Sequence, residues 1–258
     1  MSDNPYRKAL ALKGKPLFLP FTVLGDPDKQ TSLAIVRTLL LNGADALELG
    51  LPFSDPPADG PVIQAADNRA LRSGIRIDDC FEILREIRRE TIIPIGLLTY
   101  FNLVLQRGIE KFYRDCADAG VNSVLIADLP LEHVGEILDA AESSGVAPVF
   151  IVSALTTDER LKAIAEVAKG YIYIVSYVGI TGVEHAVFET GIRAVIERTR
   201  RFTKLPLLVG FGINTPEQAK SVVRAGADGV IVASRLVKEI PRLERVGSAC
   251  AGFAGVLR

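Results

Sequence analysis

Two carboxylates stand where a buried strand gives way to a stiff loop. In Ala44-Asp45-Ala46-Leu47-Glu48-Leu49-Gly50-Leu51-Pro52-Phe53-Ser54-Asp55-Pro56-Pro57-Ala58-Asp59-Gly60-Pro61, an apolar run carries Glu48 just before it ends, and the Pro- and Gly-rich turn beyond it holds Asp59. A charged side chain inside a buried strand is costly unless it is paired or has a task. Two acids so placed suit general acid–base catalysis. The competing reading pairs Glu48 with a neighbouring Arg and uses Asp59 to cap the next helix. A second piece of chemistry lies in loops that carry glycine: 176–183, then Gly210-Phe211-Gly212-Ile213-Asn214, then Ala233-Ser234 at the opening of a helix. Glycine lets backbone N–H groups come close to an anion, so these loops are candidates for a phosphate. The stretch 176–185 is long for a plain connection and has the glycines of a closing lid.

Other chemistries are poorly served. The lysines all avoid the ends of expected strands, which argues against a Schiff base. His133 and His185 are the two histidines and have no metal-ligand spacing; both are expected to be solvated. Cys80, Cys116 and Cys250 form neither a CxxC motif nor a disulfide framework, as expected in a reducing compartment. No metal site is therefore expected. Thirty basic and 31 acidic residues leave a net charge of −1, so neither nucleic acid nor a membrane surface is an expected partner. Residues 1–14 lack the apolar core of a signal peptide, and no apolar run approaches the ~20 residues of a span. A soluble cytoplasmic protein is expected. The residues alone leave lyase, isomerase and metal-independent aldolase open, acting on a phosphorylated small molecule.

Such groups need a scaffold that brings distant strand ends together. One motif recurs along the chain: an amphipathic helix ends in a small residue and Gly, and a short apolar strand follows. It occurs at 41–47, 119–126, 144–152, 169–175 and 225–232. Gly just past a helix is a carboxyl-terminal cap, and strands apolar throughout are covered on both faces. Adding 17–23, 93–99 and 206–210 gives eight strands. Helices are expected near 29–42, 78–90, 107–119, 131–144, 157–168, 187–201, 215–225 and 235–240, with a short extra one near 62–73 and a final one after Pro241. Eight βα units in 258 residues predict an α/β fold, a single (β/α)8 barrel domain over 1–258 with extra short helices. In such barrels the carboxyl ends of the strands carry the site.

The string Glu48-Leu49-Gly50-Leu51-Pro52-Phe53-Ser54-Asp55-Pro56, followed by Ala58-Asp59-Gly60-Pro61-Val62-Ile63-Gln64, resembles the signature of the tryptophan synthase alpha subunit family. The likeness extends through Leu19-Pro20-Phe21, Gly25-Asp26-Pro27, 94–100, Ala127-Asp128-Leu129-Pro130, Gly179-Ile180-Thr181-Gly182 and Gly210-Phe211-Gly212-Ile213. It implies retro-aldol cleavage of indole-3-glycerol phosphate to indole and glyceraldehyde 3-phosphate, without a cofactor, and a beta subunit as partner in an alpha2-beta2 complex. Glu48 would protonate indole C3 and take the glycerol hydroxyl proton, whereas Asp59 would accept the ring N–H. Glu48 is expected to have the higher pKa and Asp59 to stay ionised.

The resemblance also implies an indole wall of Phe21, Leu98, Leu125, Ala127, Ile151 and Phe211. Tyr173 would sit beside Glu48 with a hydroxyl that orients it. Thr181 would bond Asp59 on lid closure. Gly182, Gly212 and Ser234, with Ala233 beside them, would hold the phosphate. Asp55 and Pro56 would meet the partner, and Asp128 would support neighbouring loops. Four residues depart from the family pattern: Ala233 in place of Gly, Arg235 in place of a small residue, Tyr177 in place of a lid Arg, and Pro57 in place of Leu. They bear on affinity and intersubunit coupling more than on the reaction. The alternatives are a stand-alone lyase releasing indole, and a weakly active chain that mainly activates its partner. Turnover assays with and without a beta subunit separate them.

Overall fold

A computed structural model describes residues 4–175 and 185–258, the side chains of 185–188 excepted. Eight parallel strands close in chain order into a barrel: β1 (Leu17–Val23), β2 (Leu47–Gly50), β3 (Ile95–Thr99), β4 (Ser123–Ile126), β5 (Ala147–Val152), β6 (Ile172–Val175), β7 (Leu207–Gly210) and β8 (Gly229–Val232). β8 pairs with β1, which leaves no free edge. The helices are α1 (Pro5–Lys13), α2 (Lys29–Leu41), α3 (Pro61–Arg72), α4 (Ile77–Glu90), α5 (Phe101–Arg107), α6 (Ile109–Asp118), α7 (Gly135–Ser144), α8 (Asp158–Val167), α9 (His185–Arg200), α10 (Pro216–Arg224), α11 (Ser234–Val237) and α12 (Leu243–Val256).

The expected helices recur with three differences. The helix expected at 107–119 is two, α5 and α6, broken where Gly108 takes a φ of 83°. A 3-10 turn, Leu131–His133, precedes α7. The polar amino terminus, given no element from its pattern, forms α1. Asn4 accepts from the N–H groups of Tyr6 and Arg7, and Pro5 occupies the first turn.

Strand residues alternate between two buried surfaces. Leu47 and Leu49 face outward into the large core under the helices. Leu17, Leu19, Ala46, Leu125, Val149, Tyr171, Tyr173, Leu208 and Ile231 form the inner cluster, closed from below by Tyr6 of α1. Glu48 has the inward parity of Ala46, so the pleat that buries β2 turns a carboxylate into the barrel.

Small residues make room for hydroxyls there. A Cβ at Gly96, the β3 partner of Glu48, would lie 3.1 Å from the Tyr6 hydroxyl and 3.5 Å from that of Tyr171. A Cβ at Gly210 would lie 2.0 Å from the Tyr173 hydroxyl. Gly210→Ala must therefore move Tyr173 or β7. An urea melt is expected to show a loss of about 1–3 kcal/mol, the usual cost of overpacking; an unchanged midpoint would mean that the ring swings away freely.

Candidate active site

The cavity at the carboxyl ends of the strands has a volume of about 250 Å3, and Glu48 and Asp59 both line it. Each acid is fixed by a tyrosine. Glu48, 2% exposed, accepts a hydrogen bond of 2.7 Å from the Tyr171 hydroxyl. The Tyr171 ring meets that of Tyr6 edge-on at 4.8 Å, and the Tyr6 hydroxyl is 2.6 Å from Ser123 Oγ. Burial raises the Glu48 carboxyl to about 7, although the Tyr171 hydroxyl opposes the shift by favouring the ionised form. Among the described residues no arginine pairs with Glu48, so the charge-pair alternative is not realised.

Asp59 sits on the loop between β2 and α3. Its Oδ2 accepts a hydrogen bond of 2.6 Å from the Tyr100 hydroxyl, while Gln64 Nε2 holds its carbonyl at 2.7 Å. The Tyr100 ring stacks on Phe53 of the same loop at 5.2 Å. Asp128 Oδ1 accepts from the Phe101 N–H at 2.7 Å, which anchors the segment that carries Tyr100. Helix α3 takes Gly60 as its N-cap with no side-chain cap bond, so Asp59 does not cap it. Burial raises the Asp59 carboxyl, and the Tyr100 hydrogen bond opposes that rise. Sequence reasoning missed Tyr100, although it lies within the quoted stretch 94–100.

Of the other expected residues, Phe21, Leu98, Tyr173, Phe211, Gly212, Ala233 and Ser234 line the same cavity. Leu125 lies in the inner cluster and Ala127 packs against it, and neither lines the cavity. Ile151 is partly exposed and also lies outside it. Ile63, Ile213 and Ile231, which were not expected, also line the cavity. Ile231 has the inward parity of Gly229 on β8 and was readable as such.

The assignment of a Glu48-orienting hydroxyl to Tyr173 is corrected. That bond comes from Tyr171, two residues earlier and one layer deeper. Tyr173 lines the cavity, with its hydroxyl pressed against Gly210.

Phe211, which lines the cavity, has a φ of 68°, a left-handed conformation rare for a bulky residue, and the residue is 56% exposed. Gly212 follows with a φ of 79°. Asn214 Nδ2 donates to the Gly212 carbonyl at 3.1 Å, and Gln218 Oε1 accepts from the N–H groups of Asn214 and Thr215. Gly212 and Ser234 thus flank one cavity rim from two adjacent loops. Arg235 does not line it, and pairs with Glu239.

Asp55 is exposed and Pro56 half-buried on the outer turn of the site loop. His133 is exposed. Thr181, Gly182 and Tyr177, and the expected lid, lie outside the described residues.

The Tryptophan synthase alpha chain family model matches residues 8–251. The tryptophan synthase alpha chain of Methanoregula boonei is 48% identical over 227 residues, 88% of this chain and 85% of that one. Its counterpart in Photobacterium profundum is 50% identical over 232 residues, 90% of this chain and 86% of that one. Among solved structures, a chain of the tryptophan synthase a2b2 complex from Pyrococcus furiosus superposes with a TM-score of 0.87 at 36% identity, covering 93% of this chain and 99% of that one.

Proposed function

The chain belongs to the tryptophan synthase alpha chain family, and on that premise we propose that Glu48 and Asp59 are the acids with which it cleaves indole-3-glycerol phosphate to indole and glyceraldehyde 3-phosphate. The observation that carries this assignment is that the two carboxylates share one cavity.

The bond to be broken joins indole C3 to the carbon bearing the first glycerol hydroxyl. A ring carbon leaves poorly until it is protonated. Glu48, raised to about 7, holds a proton near neutral pH and delivers it to C3. Positive charge then appears on the ring nitrogen, where Asp59 accepts the N–H and stabilises it. The C–C bond breaks as the glycerol hydroxyl becomes the aldehyde, and its proton returns to Glu48. One proton enters and one leaves, so the carboxyl is regenerated. Phe21, Leu98, Tyr173 and Phe211 would wall the flat ring. Gly212, Ala233 and Ser234 would hold the phosphate, helped by Gly182.

The chain works with a beta subunit in an alpha2-beta2 assembly, to which it passes indole. Asp55 and Pro56 would lie at that contact. Leu105 and Leu155, both exposed and both following carboxyl strand ends, give the same rim an apolar component. Among the described residues no helix is long and apolar enough to cross a membrane. We place the enzyme in the cytoplasm, in keeping with three buried, unpaired cysteines.

The test is release of indole and glyceraldehyde 3-phosphate by the chain with a beta subunit, followed across pH. Glu48 must start protonated, so kcat/KM falls as pH rises through about 7. Asp59 must be ionised, so kcat/KM also falls at acid pH, below its raised pKa. Tyr171→Phe removes a hydrogen bond that favours ionised Glu48. The alkaline limb should therefore move to higher pH in that variant. An unmoved limb would detach this titration from Glu48.

A further inference from the structure

Behind the site loop lies a buried acid that the reaction described above does not use. Asp67 lies on α3, two turns past the Gly60 cap, and is 4% exposed. Its Oδ2 is buried without a hydrogen-bond partner, while the carboxyl receives the Phe53 N–H of the site loop. The charged groups around it are Asp59 from that loop and Asp26 from the loop after β1. Arg69, two residues further along α3, is engaged by Asp26 through bonds of 2.7 and 2.8 Å. Tyr100, beyond β3, turns its hydroxyl to Asp59. Arg235 of α11, which packs against α3, pairs with Glu239. Among the described residues no cation is set against Asp67. Nor is any group of three His, Cys, Asp or Glu side chains arranged to hold a metal.

Two carboxyls in one poorly solvated region do not ionise independently. Asp59, bonded by Tyr100, ionises first, and Asp67 keeps its proton up to about 7 because burial and the charges of Asp59 and Asp26 disfavour its anion. Resting on the role given above to Asp59, we propose that Asp67 is a positioning residue for the same reaction, whose ionisation sets a second negative charge beside Asp59 and strengthens its hold on the indole N–H as the ring becomes positive. Neutral Asp67 lacks that effect. The contribution is therefore absent at acid pH and develops as the pH rises through neutrality.

The test compares kcat for wild type and Asp67→Asn with the beta subunit present. The Glu48 limb is common to both chains and cancels in their ratio. The ratio of wild type to variant is expected to climb about three- to tenfold between about pH 6 and pH 8, with KM little changed. A ratio that is flat or falls with pH overturns the proposal, whatever its constant offset, because a packing role does not titrate.

A second measurement does not depend on that variant folding. In carboxyl-13C-aspartate-labelled protein, Asp59→Asn should lower the Asp67 titration midpoint, and an unmoved midpoint also overturns the proposal. Wild-type turnover by Asp59→Asn would instead overturn the role given to Asp59. An inactive Asp59→Asn beside a flat ratio would remove Asp67 alone.

Discussion

Glu48→Gln should lower kcat for cleavage of indole-3-glycerol phosphate by roughly 10³-fold or more, the upper part of the range for losing one positioned acid–base group. Gln matches Glu in shape and can still accept from the Tyr171 hydroxyl, so the barrel interior should keep its packing. It has no proton to give to C3 and cannot take one from the glycerol hydroxyl. Both halves of the proton circuit fail together. Binding is another matter, because in the proposed reaction Glu48 acts on C3 and the glycerol hydroxyl and not on the phosphate. A substrate analogue lacking the side-chain hydroxyls, 3-indolylpropyl phosphate, should bind the variant within a few-fold of wild type. Turnover near the wild-type rate would remove Glu48 from the reaction. Lost analogue binding would make the residue structural.

Asp59→Asn should cost about 10²- to 10³-fold in kcat, the usual effect of deleting one group that stabilises transition-state charge. The amide presents no negative charge to the ring nitrogen and can turn an N–H toward it. Tyr100 donates to Oδ2 of Asp59, and the Asn oxygen can accept that bond, so the loop should keep its place. The loss should fall mainly on kcat, since the positive charge exists only after C3 is protonated. A variant that raises KM alone would make Asp59 a binding group.

The two acids were legible because each breaks a local rule. Glu48 interrupts an apolar strand, and Asp59 sits in a loop too rich in Pro to be casual. The barrel was legible from repeated helix–Gly–strand units. What sequence could not give was depth along the barrel axis. Tyr171 and Tyr173 have the same inward parity, and only strand stagger decides which hydroxyl reaches Glu48. The same uncertainty applies to Leu125 and Ala127, which pack in or against the inner cluster and do not line the cavity. Asp67 was hidden differently: an Asp within a polar helix reads as a solvated face until the helix is laid over the site loop.

Tyr6 is hydrogen-bonded to Ser123, 117 positions later, and its ring backs the tyrosine that steadies Glu48. The floor beneath the candidate site is thus a plug supplied by the segment ahead of the first strand. Trimming that segment, or tethering a bulky fusion close to it, would disturb catalysis from the far end of the barrel, without touching a residue that meets substrate.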